Sequence, residues 1–439
     1  MEFPVWYVPF LTAPMLIPLV AVPHVIVAQF AVGAGILLAD LVRRAHRDRR
    51  PDLLAYLRQI SRALILITVV FGAVTGVGIW WTIGLTSPET TSALIHIFVF
   101  GWAAEWAVFV VEIAAAFAFY YLWDRVTPRE HVALGWIYAG AAWLSLVLIT
   151  GITSFMLTSG SWSPEKNFFA AFFNPSFLPQ VLLRTGGSVV TGALGIAFHA
   201  SFHGDDSALK NATIRVVSQW AIAAMALIVI GSAWYLVVMP DHAVLNLMRA
   251  PILLTMTVLN FCVALVVIAA LAWGLVSGAR WITPPSALLL LLAGAAATTT
   301  GEFIREGSRK PYRIENYILA PGVLVNQVSR LQTEGFVKHS RWLRYFLERA
   351  SPPGQAAPEA NSIRVGEAIF QYHCAPCHAF YGYNGIRPII YPWTPELIRD
   401  GVRNLHRTNP AMPPWLGTAA ERDALAAYLI RLNEIGHAE

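Results

Sequence analysis

The chain has 439 residues, of which 56% are hydrophobic and 13% charged, with a mean hydropathy of +0.55. Soluble domains carry about 25% charged residues, so lipid solvates most of this chain and a soluble globular protein is excluded. The net charge of +5 is modest, and Arg43, Arg44, Arg47, Arg49 and Arg50 abut a hydrophobic stretch, which reads as a membrane anchor and not as a nucleic-acid surface.

A membrane-spanning helix needs about 20 mostly apolar residues. Such stretches fall near 8–42, 60–84, 92–123, 132–158, 177–202, 214–238, 245–277 and 285–303, which predicts an all-α polytopic bundle of about eight spans. The opening Met1-Glu-Phe-Pro has neither a basic region nor a small-residue cleavage site, so no removable signal peptide is expected. The arginines after the first span place that loop in the cytoplasm under the positive-inside rule. An even number of spans then returns the chain to the outer side, so both termini are expected in the periplasm of a bacterial inner membrane.

Ionisable residues within spans are costly and are functional candidates by default. Four stand out: His24 in the first span, Glu105 and Glu112 in the third, and Glu306 just beyond the eighth. Glu105 and Glu112 are seven residues apart and share one helical face, which suggests a proton path. His199 and His203, at i and i+4, could ligate haem or metal or could simply form a hydrated helix end, and the role of His96 stays open. His46, His131, His242, His339 and His437 read as loop or surface residues. Cys262 lies alone in an apolar helix.

Beyond the spans the chain turns polar and basic, with Arg305, Arg309, Lys310, Arg313, Lys338, Arg341, Arg344 and Arg349. It then enters Ser351-Pro-Pro-Gly-Gln-Ala-Ala-Pro358, a linker composition. We therefore divide the chain into a membrane domain over 1–312, a basic segment and linker over 313–360, and a small α-helical domain over 361–439. That last domain contains Cys374-Ala-Pro-Cys377-His378, the C-x-x-C-H pattern for covalent c-type haem. Two thiols would form thioethers with the haem vinyl groups and His378 would take one axial iron position. In bacteria this attachment occurs outside the inner membrane, which agrees with the topology from loop charge. Met412, held in Asn409-Pro-Ala-Met412-Pro-Pro-Trp415, is the candidate second axial ligand, with His373 and His406 as competitors. A thioether ligand raises the potential of a haem relative to a second histidine.

The C-terminal domain resembles class I cytochrome c, including Gly366-Glu-Ala-Ile369-Phe370 before the haem motif and Ala426-Ala-Tyr428-Leu429 in the last helix. The membrane part resembles subunit I of the cytochrome bd quinol oxidases. His24-Val-Ile-Val-Ala-Gln-Phe-Ala-Val-Gly33 is similar to that family's first helix, whose histidine is a haem ligand. Phe71-Gly-Ala-Val-Thr-Gly76 is similar to its second-helix signature, and Glu112 with Trp123-Asp124-Arg125 to its third helix. Asn174-Pro175 and Val190-Thr-Gly192 match its fifth helix. Glu306-Gly-Ser-Arg-Lys-Pro-Tyr312 resembles a segment whose Glu ligates a high-spin haem. These matches run in order from about residue 10 to 312.

The resemblance implies haem b, leaves haem d open, and implies a second, similarly folded membrane subunit. Departures sharpen it. The family's low-spin haem is held by His and Met, but the corresponding positions here are Leu183, beside Arg184, and Pro251. The quinol-binding loop is reduced to Met239-Pro-Asp-His-Ala-Val, which counts against quinone. Glu105 is displaced by one residue from the family's first glutamate, a rotation of about 100° on a helix. The expected function is a bd-like respiratory subunit that exchanges electrons with a periplasmic redox partner through haem c in place of the quinol site. It would reduce oxygen if a high-spin haem keeps an open position, and whether the chain is itself an oxidoreductase stays open. The alternative is a non-catalytic cytochrome b–c subunit between the quinone pool and a periplasmic partner.

Overall fold

The structure is a computed structural model that describes residues 5–163, 165, 168–203, 207–277, 279–309, 313–349, 362–382, 384–409 and 412–438. It is helical almost throughout. In chain order the helices are α1 (Leu16–Arg47), α2 (Pro51–Ile65), α3 (Gly72–Thr86), α4 (Pro88–Ile97), α5 (Val99–Tyr121), α6 (Pro128–Ser154) and α7 (Phe168–Phe172). Then follow α8 (Phe177–Ser201), α9 (Ser207–Val238), α10 (Asp241–Arg249), α11 (Pro251–Ser277) and α12 (Pro284–Arg309). Among the described residues eight helices are long and apolar enough to cross a membrane, with α2 and α3 forming one continuous span over Pro51–Thr86.

The helix ends show why the expected boundaries moved. The first span begins at Met15, not near residue 8, and runs on through the arginines to Arg47. Asp40, 1% exposed, makes that extension possible. It accepts from Arg43 Nη2 at 2.6 Å and Arg44 Nε at 2.8 Å, and from the Trp220 indole N–H at 3.0 Å. The third expected span divides at Phe98, a fully buried residue between α4 and α5. Pro51, Pro128, Pro251 and Pro284 each open a helix, where the missing N–H costs nothing. Between α2 and α3, Leu66–Phe71 forms a π-helical turn, a feature frequent at functional sites.

The most buried span is α1, and it packs against α8 at backbone distance. A Cβ on Gly33 would lie 1.8 Å from Ser188 O, and one on Gly192 would lie 2.4 Å from Ala34 N. In lipid there is little hydrophobic gain from helix association, so small residues that let backbones touch drive it.

After α12 come β1 (Ile318–Leu319) and β2 (Val323–Leu324), an antiparallel pair with Ile318 opposite Leu324 and Leu319 opposite Val323. Short helices α13 (Val328–Glu334), α14 (Phe336–His339) and α15 (Arg341–Arg349) follow, then α16 (Ser362–Ile369), α17 (Ile386–Ile390), α18 (Pro395–Arg403), α19 (Leu405–Thr408) and α20 (Ala419–Ala438). Helices α16 and α20 cross closely, since a Cβ on Gly366 would lie 2.1 Å from Ala424 O. Residues 313–349 do more than connect. Leu331, Phe336, Leu343 and Leu347 share one core with Ile369, Phe370, Leu425 and Leu429. Glu421 ties the two parts, accepting from Val337 N at 2.8 Å and Thr418 N at 2.9 Å. The linker at 350–361 lies outside the described residues.

Candidate functional site

In the C-terminal domain, a π-helical turn over Phe370–Cys374 leads into the haem motif. Cys377 N and His378 N both donate to Cys374 O, at 3.0 and 2.9 Å, so both thiols and the imidazole belong to one turn. Both cysteines are half-buried. Burial pushes the Cys374 thiol up to about 12, which disfavours a thiolate but does not penalise a neutral thioether. His378 Nδ1–H donates to Asn384 O at 3.2 Å, and Asn384 Nδ2 in turn donates to Cys377 O at 2.6 Å. Because a carbonyl only accepts, the proton sits on Nδ1 and the Nε2 lone pair is left for iron, the usual tautomer logic for a metal-ligating histidine. Burial also lowers the His378 pKa, favouring the neutral ring that ligation needs. These residues fit a covalent haem.

Met412 is half-buried. Its backbone is fixed at both ends, its N donating to Asn409 O at 2.9 Å and its O accepting from His406 Nδ1–H at 3.2 Å. That bond ties the exposed His406 to the methionine loop. His373 is buried, its ring centroid 4.7 Å from that of Phe336. A Met412→Ala variant is expected to lower the haem c midpoint potential, measured by redox titration. An unchanged potential would exclude Met412 as the axial ligand.

His373 supplies a pH dependence of its own. Burial holds its imidazole down at about 4 in the folded domain, against about 6.5 in an unfolded chain. The unfolded state binds the proton first, so stability is lost as pH falls from about 6.5 towards 4, by roughly 3 kcal/mol. The separation between denaturation midpoints at pH 7 and pH 4.5 should be smaller in a His373→Leu variant than in wild type.

In the membrane domain, His24 lies on α1 against the junction of the π-turn with α3. Its Nδ1 is 3.2 Å from Gly72 O and 3.1 Å from Thr75 Oγ1. Thr75 Oγ1 itself donates to Phe71 O at 2.7 Å, so both His24 partners accept and Nε2 is again the bare nitrogen. A Cβ on Gly76 would come within 3.2 Å of the His24 ring. Thr75 and Gly76 belong to the Phe71–Gly76 signature, whose role as a histidine cradle only the fold reveals. The residues here fit one axial position of a haem.

Glu105 and Glu112 face α6, not lipid alone. Ser145 Oγ donates to Glu105 Oε1 at 3.0 Å, so the one-residue displacement still leaves this carboxylate engaged across the helix pair. Glu112 lies within the electrostatic reach of Tyr138, whose hydroxyl donates to Ala31 O at 3.2 Å. The two antiparallel helices form a ladder: Glu105, Glu112 and Phe119 on α5 oppose Ser145, Tyr138 and His131 on α6. Sequence reading missed Ser145 and Tyr138, although their heptad spacing with His131 in an apolar helix is the signal that could have found them. His131 also corrects its expected surface position. It is 1% exposed, stacks on Phe119 at 4.7 Å, and lies 3.2 Å from His46 through ring nitrogens.

Glu306 sits in a buried charge cluster at the end of α12. Arg309 and Arg305 both pair with its Oε1, the latter at 3.1 Å, and Arg305 also pairs with Glu302 at 2.6 Å. Arg184 from α8 lies in the same field. Hydrogen-bonded orientation is the support that a ligating carboxylate receives, so Glu306 is compatible with a haem position. Positions Leu183 and Pro251 are not. A Cβ on Gly231 would lie 2.8 Å from Leu183 N, so α8 and α9 touch there, and Pro251 merely opens α11.

Among the described residues the remaining histidines pair with their near neighbours. His96 Nδ1–H donates to Ser92 O in its own helix at 2.7 Å. His199 Nδ1 lies 3.4 Å from Tyr56 OH and His203 packs on the same ring at 4.8 Å. Among the described residues no cluster of three or more His, Cys, Asp or Glu side chains could hold a metal ion.

The family profile of cytochrome bd terminal oxidase subunit I matches residues 14–242. That of cytochrome c oxidase, cbb3-type, subunit III matches residues 361–429. No curated protein matches the chain. Among solved structures, bd oxidase from Geobacillus thermodenitrificans shares the fold, with a TM-score of 0.63 and 16% identity over 70% of this chain and 88% of that one. With the His24 cradle and the covalent haem turn in place, the chain belongs to the cytochrome bd terminal oxidase subunit I family and carries a cbb3-type cytochrome c domain at its C-terminal end.

Proposed function

We propose that this respiratory haem electron-transfer protein is a bd-type subunit whose electron port is the attached cytochrome domain in place of a quinol site. The carrying observation is that the loop orienting His378 packs against residues that lead directly into α1, the helix bearing His24. The closed α8–α9 contact at Leu183 and the two-residue turn, Met239 and Pro240, between α9 and α10 support the loss of the low-spin haem and of quinol binding. Cys374, Cys377, His378 and Met412 would hold haem c, His24 and Glu306 would serve haem b or d in the membrane, and bound haem supplies one-electron redox chemistry.

The α5–α6 ladder is suited to moving protons. Glu105 and Glu112 provide exchangeable protons inside the bilayer, Ser145 holds the first, and Tyr138 borders the second. Such a path is needed if oxygen is reduced to water, because that reaction consumes protons. A Glu112→Gln variant, which keeps shape but cannot ionise, is expected to lower oxygen consumption on the order of 10²-fold, the scale of a lost proton-transfer group. Unchanged consumption would remove Glu112 from the path.

Anaerobic redox spectra with a pyridine haemochrome assay test the whole reading. Haem c together with a membrane haem that shifts on carbon monoxide is the expected result. A membrane haem without that shift would favour the non-catalytic cytochrome b–c subunit, and haem c alone would overturn both. In either reading the protein would work in the bacterial inner membrane, with its cytochrome domain in the periplasm, beside a second membrane subunit and with a periplasmic redox partner.

A further inference from the structure

The cytochrome domain meets the membrane bundle through two contacts that the bd-like fold alone does not require. The first is the hairpin β1–β2. Successive residues of a strand point to opposite faces, and here each face belongs to a different unit. Ile318 and Leu324 enter the cluster of Phe98, Phe155 and Phe172 in the membrane domain. Leu319 and Val323 enter the core of the cytochrome domain. Tyr317 packs edge-on against Trp162 at 5.4 Å, and the turn at Gly322 comes so near α4 that a Cβ there would lie 2.8 Å from Glu89 Cβ.

The second contact is the segment ahead of α1. Pro9 O accepts from both Phe380 N, at 2.9 Å, and Tyr381 N, at 3.0 Å. The Tyr7 ring meets Phe380 edge-on at 5.6 Å, and Phe380 stacks on Phe370 at 5.5 Å. Gly382, at φ +73°, lies against Phe10 O, where a Cβ would come within 2.7 Å. On its other side the same segment holds the bundle, with Trp6 N donating to Leu85 O at 2.9 Å and Trp6 against Trp81 at 5.3 Å. Phe380, Tyr381 and Gly382 belong to the loop between His378 and its partner Asn384.

We propose that the cytochrome domain is locked to the bundle by this hairpin wedge and N-terminal strap. The docking surface is built from this chain alone, and Tyr7, Pro9, Ile318 and Leu324 act as positioning residues. They fix the His378 loop at the α1 end, from which His24 lies eight residues, or about 12 Å of helix, inward. The consequence for electron transfer rests on the function proposed above: the step between the cytochrome domain and the His24 site is intramolecular and independent of protein concentration.

The test uses the full-length holoprotein in lipid nanodiscs, with Cys262→Ser and spin labels at Arg399→Cys and Glu165→Cys, two exposed positions on the two units. In the reduced protein, double electron–electron resonance should give one narrow distance distribution. It should broaden in Tyr7→Ala and, independently, in Ile318→Asp, while the haem c absorbance band stays unchanged and shows the domain still folded. A broad distribution in the parent protein, or a narrow one unchanged in both variants, would overturn the docking. Flash-induced electron transfer to the membrane haem should slow at least tenfold in the same variants. Broadened distances with an unaltered transfer rate would leave the docking standing and overturn haem c as the electron port.

Discussion

The Cys374→Ala, Cys377→Ala double variant is expected to carry no haem that survives denaturation, while any haem held in the bundle remains. The chain has three cysteines, and the third, Cys262, is exposed on α11 far along the sequence from an axial histidine, so no other thiol can substitute. A domain of this size has little core to spare. Phe370, Tyr372, Leu425 and Leu429 pack beside the haem turn, so loss of the covalent anchor should also lower the melting temperature of the C-terminal part. Haem-stained denaturing gels and a pyridine haemochrome assay on the same preparation separate the two effects. Covalent haem persisting in the double variant would contradict the assignment.

The second large effect is expected at Arg309. It is 6% exposed and its guanidinium is seated on Oε1 of Glu306, itself 2% exposed. Removing Arg309 leaves the buried Glu306 carboxylate with only Arg305, at 3.1 Å, to offset its desolvation, a loss bounded by the roughly 3–5 kcal/mol that orphaning a buried charge costs. Arg309→Ala should therefore lower the thermal stability of the purified protein strongly. Arg309→Leu combined with Glu306→Gln should be milder than Arg309→Ala, because the charge left behind is gone as well. Equal destabilisation in the two would show that packing, not charge, is what Arg309 contributes.

Much of this was legible before any fold was known, and the reasons differ by element. The eight spans follow from hydropathy, and an even count brings both chain ends to one end of the bundle, as the Pro9 contacts with Phe380 and Tyr381 require. The haem turn is local, five residues long, and declares itself. His24 is conspicuous because a histidine in lipid needs a partner, yet that partner, the Gly72 carbonyl, is 48 residues away and depends on a π-turn that composition does not announce. Ser145 escaped notice because a single serine in a membrane helix is unremarkable until Glu105 is placed opposite it. The hairpin is the clearest limit of sequence reading. Ile318, Leu319, Val323 and Leu324 are four apolar residues in a basic stretch, and nothing local tells that two face one core and two the other.

The most direct measurement of the central claim is stopped-flow reduction of the intact protein by a soluble one-electron donor too polar to enter the membrane. If the cytochrome domain is the electron port, haem c is reduced first and the membrane haem follows at a rate independent of donor concentration, and in the Cys374→Ala, Cys377→Ala variant that second phase disappears. A membrane haem that is reduced equally fast in the double variant would show that electrons reach the bundle by another route.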